Sequence, residues 1–233
     1  MIAFTCCVNY ADMLAITYPF NRRYFDELVV VTSPGDFATI GFCQANGISF
    51  ILSDCYKQNG STFNRAAMLN QAIDYCIMAY PGEWFISMDA DVIMDVVDCN
   101  TTGRNIWLAD WCSMDTRQEC FFGGELDKEM IYGCPRKMIR QRTELTIENL
   151  RKPEIGEWEN YPYNLSAYLG FFQMFYKRTA RNDESYKTVE NSDTAFLDNN
   201  FGINKARVFK NLVCYHLGES GVNWNGRISR EWK

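Results

Sequence analysis

The sequence predicts an α/β fold with a mainly parallel sheet flanked by helices. Two observations point to it: short β-rich runs alternate with longer helix-compatible stretches over the first ninety residues, and the chain is long enough for one large domain. With 47% hydrophobic and 22% charged residues among 233, the composition is that of an ordinary globular protein. A sheet of this type binds ligands at the carboxyl ends of its strands.

The alternation can be followed element by element through the first half. Turn residues close the apolar runs of strand length, as Ser33, Pro34 and Gly35 close the second run. The predicted strands cover residues 2–8, 28–32, 48–53 and 84–88, and the predicted helices begin near residue 12 and cover residues 37–45 and 64–80. This order of strand and helix favours parallel pairing with helices on both faces.

The second half is less regular than the first. Residues 99–191 mix aromatic and charged side chains with Gly and Pro. We expect a helix over residues 127–150, interrupted near Pro135, a strand over residues 169–176 and a last strand that ends near His216. Because the sequence shows no linker and no internal repeat, residues 1–233 are predicted to form a single domain.

The distribution of charge limits the possible partners. The net charge of −6 argues against sequence-independent binding to nucleic acid. Residues 1–116 carry 5 basic and 13 acidic side chains, whereas residues 117–233 carry 18 and 16. A polyanion would therefore meet the second half, where residues 135–142 form the densest basic stretch. A solvated helix face is the ordinary interpretation of such a stretch.

Three features predict a cytoplasmic protein. No apolar run approaches the roughly 20 residues that a membrane-spanning helix needs. The N-terminal residues lack a basic segment and include Asp12, so they do not resemble a secretory signal. The ten cysteines contain no Cys-x-x-Cys pair, and we expect them to be reduced core residues.

The strongest chemical signal is the pair Asp89 and Asp91. They directly follow the predicted strand at residues 84–88 and precede another apolar run, so they lie where a parallel strand reaches the ligand site. Two carboxylates at this spacing can hold one divalent cation, and ionised groups near a core are costly unless something pairs them. His216, the single histidine of the chain, ends a predicted strand. Imidazole together with carboxylates suits Mn²⁺ better than Ca²⁺.

Several short motifs occur in an order that resembles one known family. They are VNY at residues 8–10, VVVTSPGD ending at Asp36, FNRAAMLNQAID with Arg65 in place of the usual Lys, MDADVI, GFFQMF at residues 170–175, NSDTAF around Asp193 and HLGESGVNWNGR at residues 216–227. The set resembles GT-A-fold glycosyltransferases, close to the family 2-like bacterial and phage members. The resemblance implies a GT-A, Rossmann-like sheet with a nucleotide-sugar half at residues 1–98. An irregular acceptor half with a C-terminal metal and phosphate loop would follow at residues 99–233.

The resemblance also implies an activity and the residues for it. The chain would transfer a sugar, expected to be a hexose, from a UDP-sugar to an acceptor hydroxyl, with Mn²⁺ or Mg²⁺ held by Asp89, Asp91 and His216. Asp193 would be the catalytic base of an inverting reaction. The residues implied in nucleotide-sugar binding are Asn9, Tyr10, Asp36, Arg65, Asp89, Gln173, Trp224 and Arg227. For Asp193, capping of a helix is the ordinary alternative.

The acceptor and the activity have open alternatives at this point. A glycan, a lipid-linked hydroxyl or a small-molecule hydroxyl is the default acceptor. A 5-hydroxymethylated base in DNA is the alternative, with phosphate contacts from Arg136, Lys137, Arg140 and Arg142. A non-catalytic sugar-nucleotide binding module is the second alternative. The sequence has no GxGxxG after its first strand and no GxxxxGK[ST], which argues against a dinucleotide-dependent dehydrogenase and a P-loop NTPase.

Overall fold

The described part of the molecule contains two sheets. The computed structural model describes residues 1–97, 119–120, 122–140, 143–158, 169–185 and 192–217. Within these ranges the larger sheet has eight strands and the smaller sheet has four. The predicted site residues Trp224 and Arg227 lie outside the described residues.

The first half forms the predicted alternation of strand and helix. Its strands are β1 (Ile2–Cys6), β2 (Glu27–Thr32), β3 (Ser49–Leu52) and β4 (Phe85–Met88), and its helices are α1 (Ala11–Asn21), α2 (Phe37–Asn46) and α3 (Arg65–Ala79). All pairs among these strands are parallel, in the order β3-β2-β1-β4. The strand order therefore reverses between β1 and β4, at the kind of switch point where open α/β sheets bind ligands.

The rest of the chain completes both sheets. Its strands are β5 (Val92–Val96), β6 (Glu119–Cys120), β7 (Ile131–Gly133), β8 (Arg136–Ile139), β9 (Glu157–Trp158), β10 (Phe172–Phe175), β11 (Ala206–Phe209) and β12 (Leu212–Leu217). The larger sheet continues from β4 as β10-β7-β11-β6, with β10 antiparallel to both neighbours and the other pairs parallel. The sheet is mainly parallel, which confirms the predicted fold class.

The smaller sheet joins segments that are far apart in the chain. Its order is β5-β12-β8-β9. β12 runs antiparallel to β5 and parallel to β8, and β9 is antiparallel to β8. The chain passes from the larger sheet into this one directly after β4, because β5 begins four residues beyond Met88. The turn between β4 and β5 therefore lies at the junction of the two sheets.

The predicted helix over residues 127–150 is wrong. This segment forms β7 and β8 on the two sides of Pro135, and only the short helix α4 (Ile147–Arg151) follows. Long-range pairing decides the outcome, because β7 lies between β10 and β11 and β8 lies between β12 and β9. A strand in these positions buries Ile131 and Met138 and gives its backbone groups partners on both sides. The last strand that we expected to end near His216 is β12, which ends at Leu217 and follows a further strand, β11.

Helices cover both faces of the larger sheet. One face packs against α1 and α2 through Leu14 and Cys43. The other packs against α3 through Leu69 and against α5 (Ser192–Asn200) through Phe196. A third cluster places Met13 of α1 with residues of the smaller sheet. Helix α1 therefore contacts both sheets at the place where they meet.

Two observations concern the environment of the chain. Among the described residues, no helix has the length and apolar composition needed to cross a bilayer. Seven cysteines in these residues are free thiols, and the side chains of five of them are buried. The cytoplasmic location stays a prediction.

Candidate active site

The acidic turn lies at the carboxyl end of β4, beside the switch point. Asp89 and Asp91 occupy the turn that carries the chain from β4 to β5. The backbone amide of Asp89 donates to the carbonyl oxygen of Phe171 at 3.0 Å, which fixes the start of the turn against the segment that enters β10. Asp91 is buried and Asp89 is partly exposed. The two predicted metal ligands are therefore held at the edge where a ligand would enter.

Strand pairing brings His216 to this turn. The register of β12 on β5 sets His216 opposite Val92, and the amide of Leu217 donates to the carbonyl oxygen of Asp91 at 2.9 Å. The Nε2 atom of His216 lies 3.1 Å from Oδ1 of Asp91. One ligand atom from each of Asp89, Asp91 and His216 lies within 4.8 Å of the others. The structure thus gathers the three predicted metal ligands.

This set of groups fits a divalent cation. Two carboxylates and an imidazole are ligands that Mn²⁺ accepts. Burial would raise the pKa of Asp91, but the attraction of His216 and hydrogen bonds from His216 and Tyr10 hold it below its ordinary value. Burial would lower the pKa of His216, but the attraction of Asp91 produces a net rise. The site therefore favours a positive charge beside Asp91, and a bound cation would supply the same charge.

Helix α1 holds the acidic turn from one side. The hydroxyl of Tyr10, the residue before α1, donates to Oδ2 of Asp91 at 2.9 Å. Further along α1, the hydroxyl of Thr17 donates to the carbonyl oxygen of Ala90 at 2.7 Å. Ala90 lies between the two aspartates of the acidic turn. The resemblance implies a nucleoside contact for Tyr10, and the structure adds a direct contact with a candidate metal ligand.

Asn21 fixes the far end of the same turn. Its side-chain amide donates to the carbonyl oxygen of Val92 at 2.7 Å and its Oδ1 accepts from the amide of Met94 at 2.8 Å. Sequence reasoning missed Thr17 and Asn21. A signal was present, because residues 10, 17 and 21 are polar at spacings of seven and four, which places them on one side of a mainly apolar helix.

Arg65 connects the acidic turn to Asp193. Its Nη2 donates to Oδ1 of Asp89 at 2.8 Å and its Nη1 donates to Oδ1 of Asp193 at 2.7 Å. The Arg65 side chain is only 9% exposed, so both ion pairs are largely shielded from water. Burial would lower the pKa of Arg65, but the two carboxylates raise it. The guanidinium is thus a charged link between one candidate metal ligand and the predicted base.

Asp193 lies in the first turn of α5, inside the helix and not at the residue before it. Burial raises the pKa of its carboxyl to about 6, against the opposing attraction of Arg65. A carboxylate with a pKa slightly below neutral pH can accept a proton in that pH range. The segment ahead of α5 is anchored to α3, because the side-chain amide of Asn70 donates to the carbonyl oxygen of Asn182 at 3.0 Å.

The Asp36 carboxylate shapes the turns after β1 and β2. It accepts from the amide of Asn9 at 2.7 Å, from the hydroxyl of Thr32 at 3.0 Å and from the amide of Thr39 at 3.1 Å, as the N-cap of α2. Its side chain is buried among these donors. The nucleoside contact implied for Asp36 stays a prediction. Its carboxylate also holds the turn at Asn9, whose φ is 56°.

Gln173 lies on β10, directly opposite Ser87 of β4. Both side chains are buried, and Nε2 of Gln173 and Oγ of Ser87 have no hydrogen-bond partner among the described residues. Buried polar atoms without a partner are uncommon in folded proteins. A hydroxyl group or a water molecule would satisfy them, so Gln173 stays a candidate wall of the ligand site.

Among its described residues, the basic stretch at residues 135–142 does not expose every charge to solvent. Lys137 is 1% exposed, and its Nζ donates to the carbonyl oxygens of Leu150 at 3.1 Å and Lys152 at 2.6 Å. Burial lowers the pKa of Lys137 to about 8. Lys137, Met138 and Ile139 of β8 are all buried, so both faces of this strand are covered and the lysine does not reach the surface. The expected phosphate contact from Lys137 is therefore wrong.

The other basic residues of that stretch have different surroundings. The guanidinium of Arg136 packs over the ring of Phe171 with 4.4 Å between its central carbon and the ring centre. Arg140 is exposed and forms an ion pair of 3.2 Å with Glu157. Arg142 lies outside the described residues.

Several solved structures are distantly similar to this chain. One is the galactosyltransferase LgtC in complex with donor and acceptor sugar analogues, which is 13% identical to this chain with a TM-score of 0.46. The match covers 89% of this chain and 73% of the LgtC chain. Glucosyl-3-phosphoglycerate synthase from Mycobacterium tuberculosis in complex with UDP is 12% identical, covers 99% and 73%, and has a TM-score of 0.44. A 4-diphosphocytidyl-2C-methyl-D-erythritol synthase is 13% identical, covers 98% and 93%, and also has a TM-score of 0.44.

These likenesses are distant. TM-scores below 0.5 do not assign a fold or an activity to this chain, so the α/β fold rests on its own strand order. No protein-family model matches the chain, and no curated protein matches it.

Proposed function

We propose that the protein is a metal-dependent glycosyltransferase that transfers a hexose from a UDP-sugar to an acceptor hydroxyl with inversion. The observation that carries the proposal is the meeting of Asp89, Asp91 and His216 at the switch point of a mainly parallel sheet. Arg65 joins Asp193 to the same cluster. The choice of UDP, of a hexose and of inversion comes from the motif resemblance.

The cluster suits the departure of a nucleoside diphosphate. Asp89, Asp91 and His216 would hold Mn²⁺ or Mg²⁺, which when bound would supply positive charge to the leaving diphosphate. Asp91 is buried and the His216 side chain is only 12% exposed, so charges there are screened less than in solvent. Trp224 and Arg227 remain proposed donor contacts on the strength of the motifs alone.

Asp193 is the proposed general base. With a pKa of about 6, its carboxyl is ionised at neutral pH and can take the proton of the acceptor hydroxyl. Arg65 engages Oδ1 of Asp193, and we assign Oδ2 to the acceptor. Because the Arg65 guanidinium bridges Asp89 and Asp193, it holds the base at a fixed place relative to the leaving-group side. An inverting displacement needs base and leaving group on opposite faces of the sugar.

For the acceptor we propose a glycan, a lipid-linked hydroxyl or a small-molecule hydroxyl. The net charge of −6 and the burial of Lys137 weigh against DNA as the acceptor. A DNA-modifying enzyme should bind an oligonucleotide with a steep dependence on salt. Binding of a 5-hydroxymethylated oligonucleotide in dilute buffer, lost as salt rises, would favour the DNA alternative.

The proposal is tested by a screen of donors without an acceptor. The full chain is incubated with Mn²⁺ and, in turn, UDP-glucose, UDP-galactose, UDP-N-acetylglucosamine and GDP-mannose, and release of the nucleoside diphosphate is measured. We expect slow hydrolysis of at least one UDP-sugar that stops when EDTA removes the metal. Binding of a donor without hydrolysis or transfer would indicate the non-catalytic module. If the protein neither binds nor hydrolyses any of these donors, the proposal is contradicted.

A further inference from the structure

The two carboxylate oxygens of Asp91 have different partners. Oδ1 lies 3.1 Å from Nε2 of His216, whereas Oδ2 accepts the hydroxyl of Tyr10 at 2.9 Å. The Asp91 side chain is only 11% exposed, so water has little access to compete for either oxygen. The oxygen on the imidazole side is therefore the one placed toward the shared cluster, and the other is directed to the phenol.

The phenol is fixed to the same helix that fixes the turn. Tyr10 directly precedes α1, and its carbonyl oxygen accepts from the amide of Leu14 at 3.2 Å. Thr17 and Asn21 of α1 hold the turn's backbone on the two sides of Asp91. A rotation of Asp91 about its side-chain bonds would break the contact with Tyr10, while the backbone contacts keep the turn from following. The Asp91 carboxylate is thus held in one orientation.

We propose that Tyr10 is a positioning residue that restricts Asp91 to one metal-facing oxygen and so selects Mn²⁺ or Mg²⁺ against Ca²⁺. The inference rests on the proposed metal site of the preceding section. Ca²⁺ takes six to eight oxygen ligands and often binds a carboxylate through both oxygens, whereas Mg²⁺ keeps a smaller octahedral shell. With Oδ2 bound to the phenol, Asp91 offers Ca²⁺ one oxygen fewer. Partners that orient a metal ligand in this way typically change metal affinity by about 10–100-fold.

The test compares two metals on the protein without nucleotide. Mn²⁺ binding is measured from the loss of the free-ion signal in electron paramagnetic resonance, and Ca²⁺ affinity is measured by competition against Mn²⁺. In Tyr10→Phe, which keeps the ring and removes the hydroxyl, Oδ2 of Asp91 is released. We expect the ratio of the Ca²⁺ to the Mn²⁺ dissociation constant to fall by about tenfold relative to the wild type.

A matched variant separates selection from general damage. Tyr18→Phe removes a hydroxyl from α1 at a side chain whose ring packs against Phe42. We expect the wild-type ratio of dissociation constants in this variant. A purely structural role for Tyr10 would weaken both metals by the same factor, leave the ratio unchanged and overturn the inference. If Tyr10→Phe does not fold by circular dichroism, Tyr10→Met gives the same comparison with a flexible apolar side chain.

The outcome is independent of sugar transfer. A lowered ratio in Tyr10→Phe together with no hydrolysis of any donor would support the inference and contradict the proposed function. An unchanged ratio together with metal-dependent hydrolysis would overturn the inference and support the proposed function. Absence of saturable Mn²⁺ binding in the wild type would overturn the inference itself.

Discussion

The two sides of the candidate site are built in different ways. Asp89 and Asp91 follow a strand of the parallel half, where the order of strands and helices along the chain already implies the sheet. His216 and Asp193 reach the site only through contacts across 125 and 128 residues of sequence. The local sequence pattern can therefore locate the acidic pair, whereas the groups that complete the site depend on contacts between distant parts of the chain.

The largest effect is expected on the locally determined side. Asp91→Asn removes a buried negative charge from the proposed metal site, and we expect metal-dependent hydrolysis of the donor to fall by about 10³-fold or more. The measurement is release of nucleoside diphosphate at saturating Mn²⁺. Asp74→Asn, at an exposed position of α3, is the matched control and should retain wild-type activity. Unchanged turnover in a folded Asp91→Asn protein would remove the metal role from this residue.

The next effect belongs to the side that depends on long-range contacts. Asp193→Asn takes away the proposed base, so transfer should fall by about 10²–10⁴-fold while donor binding stays near the wild-type level. Calorimetric titration with UDP and an assay of transfer separate the two quantities. Asp198→Asn changes an exposed carboxylate of the same helix and should alter neither. Equal losses of binding and transfer in Asp193→Asn would indicate a structural role for Asp193.

The link between the two sides should be visible in the pH profile. Because the pKa of Asp193 is about 6 and only its ionised form accepts a proton, transfer should rise as the pH passes upward through about 6. The positive charge of Arg65 lowers the pKa of Asp193, so in Arg65→Gln the rise of the transfer rate should occur at higher pH. The measurement is the rate of transfer from pH 5 to pH 9 in both proteins. If the transfer rate rises at the same pH in both proteins, Arg65 does not affect the pKa of the base.

The smallest effect concerns the stretch that sequence reasoning assigned to a helix. Lys137→Met leaves the carbonyl oxygens of Leu150 and Lys152 without their buried donor, and we expect the free energy of unfolding to fall by about 1–3 kcal/mol. Urea denaturation measures the change. Oligonucleotide binding at low salt should be the same as in the wild type, since Lys137 does not reach the surface. A clear loss of such binding without a loss of stability would place Lys137 on an outer face.

The sequence predicted the first half well because its elements are bounded locally. Apolar runs end at turn residues there, and Asn64 caps α3 through the amide of Ala67 three residues later. The same reasoning failed at residues 127–150, since the basic residues around Lys137 are compatible both with a helix face and with a strand that lies between two others. Only the pairing of β8 with β12 and β9 decides between these two outcomes.

The candidate site shows the same division. The sequence identified Asp89, Asp91, His216, Arg65 and Asp193, and the structure brings these side chains into one connected cluster. The side chains that hold this cluster in place could not be predicted from the sequence. The contact of Tyr10 with Asp91, for example, depends on how α1 packs against the junction of the two sheets. The sequence placed Asp36 near the site, but it did not show that the carboxylate accepts hydrogen bonds from the backbone amides of Thr39 and Asn9.

The most direct measurement is the anomalous scattering of Mn²⁺ in crystals of the full chain. We expect one peak at which a carboxylate oxygen of Asp89, a carboxylate oxygen of Asp91 and Nε2 of His216 converge on the same ion. A peak elsewhere, or these three side chains directed away from one another around a metal-free cleft at saturating Mn²⁺, would contradict this expectation.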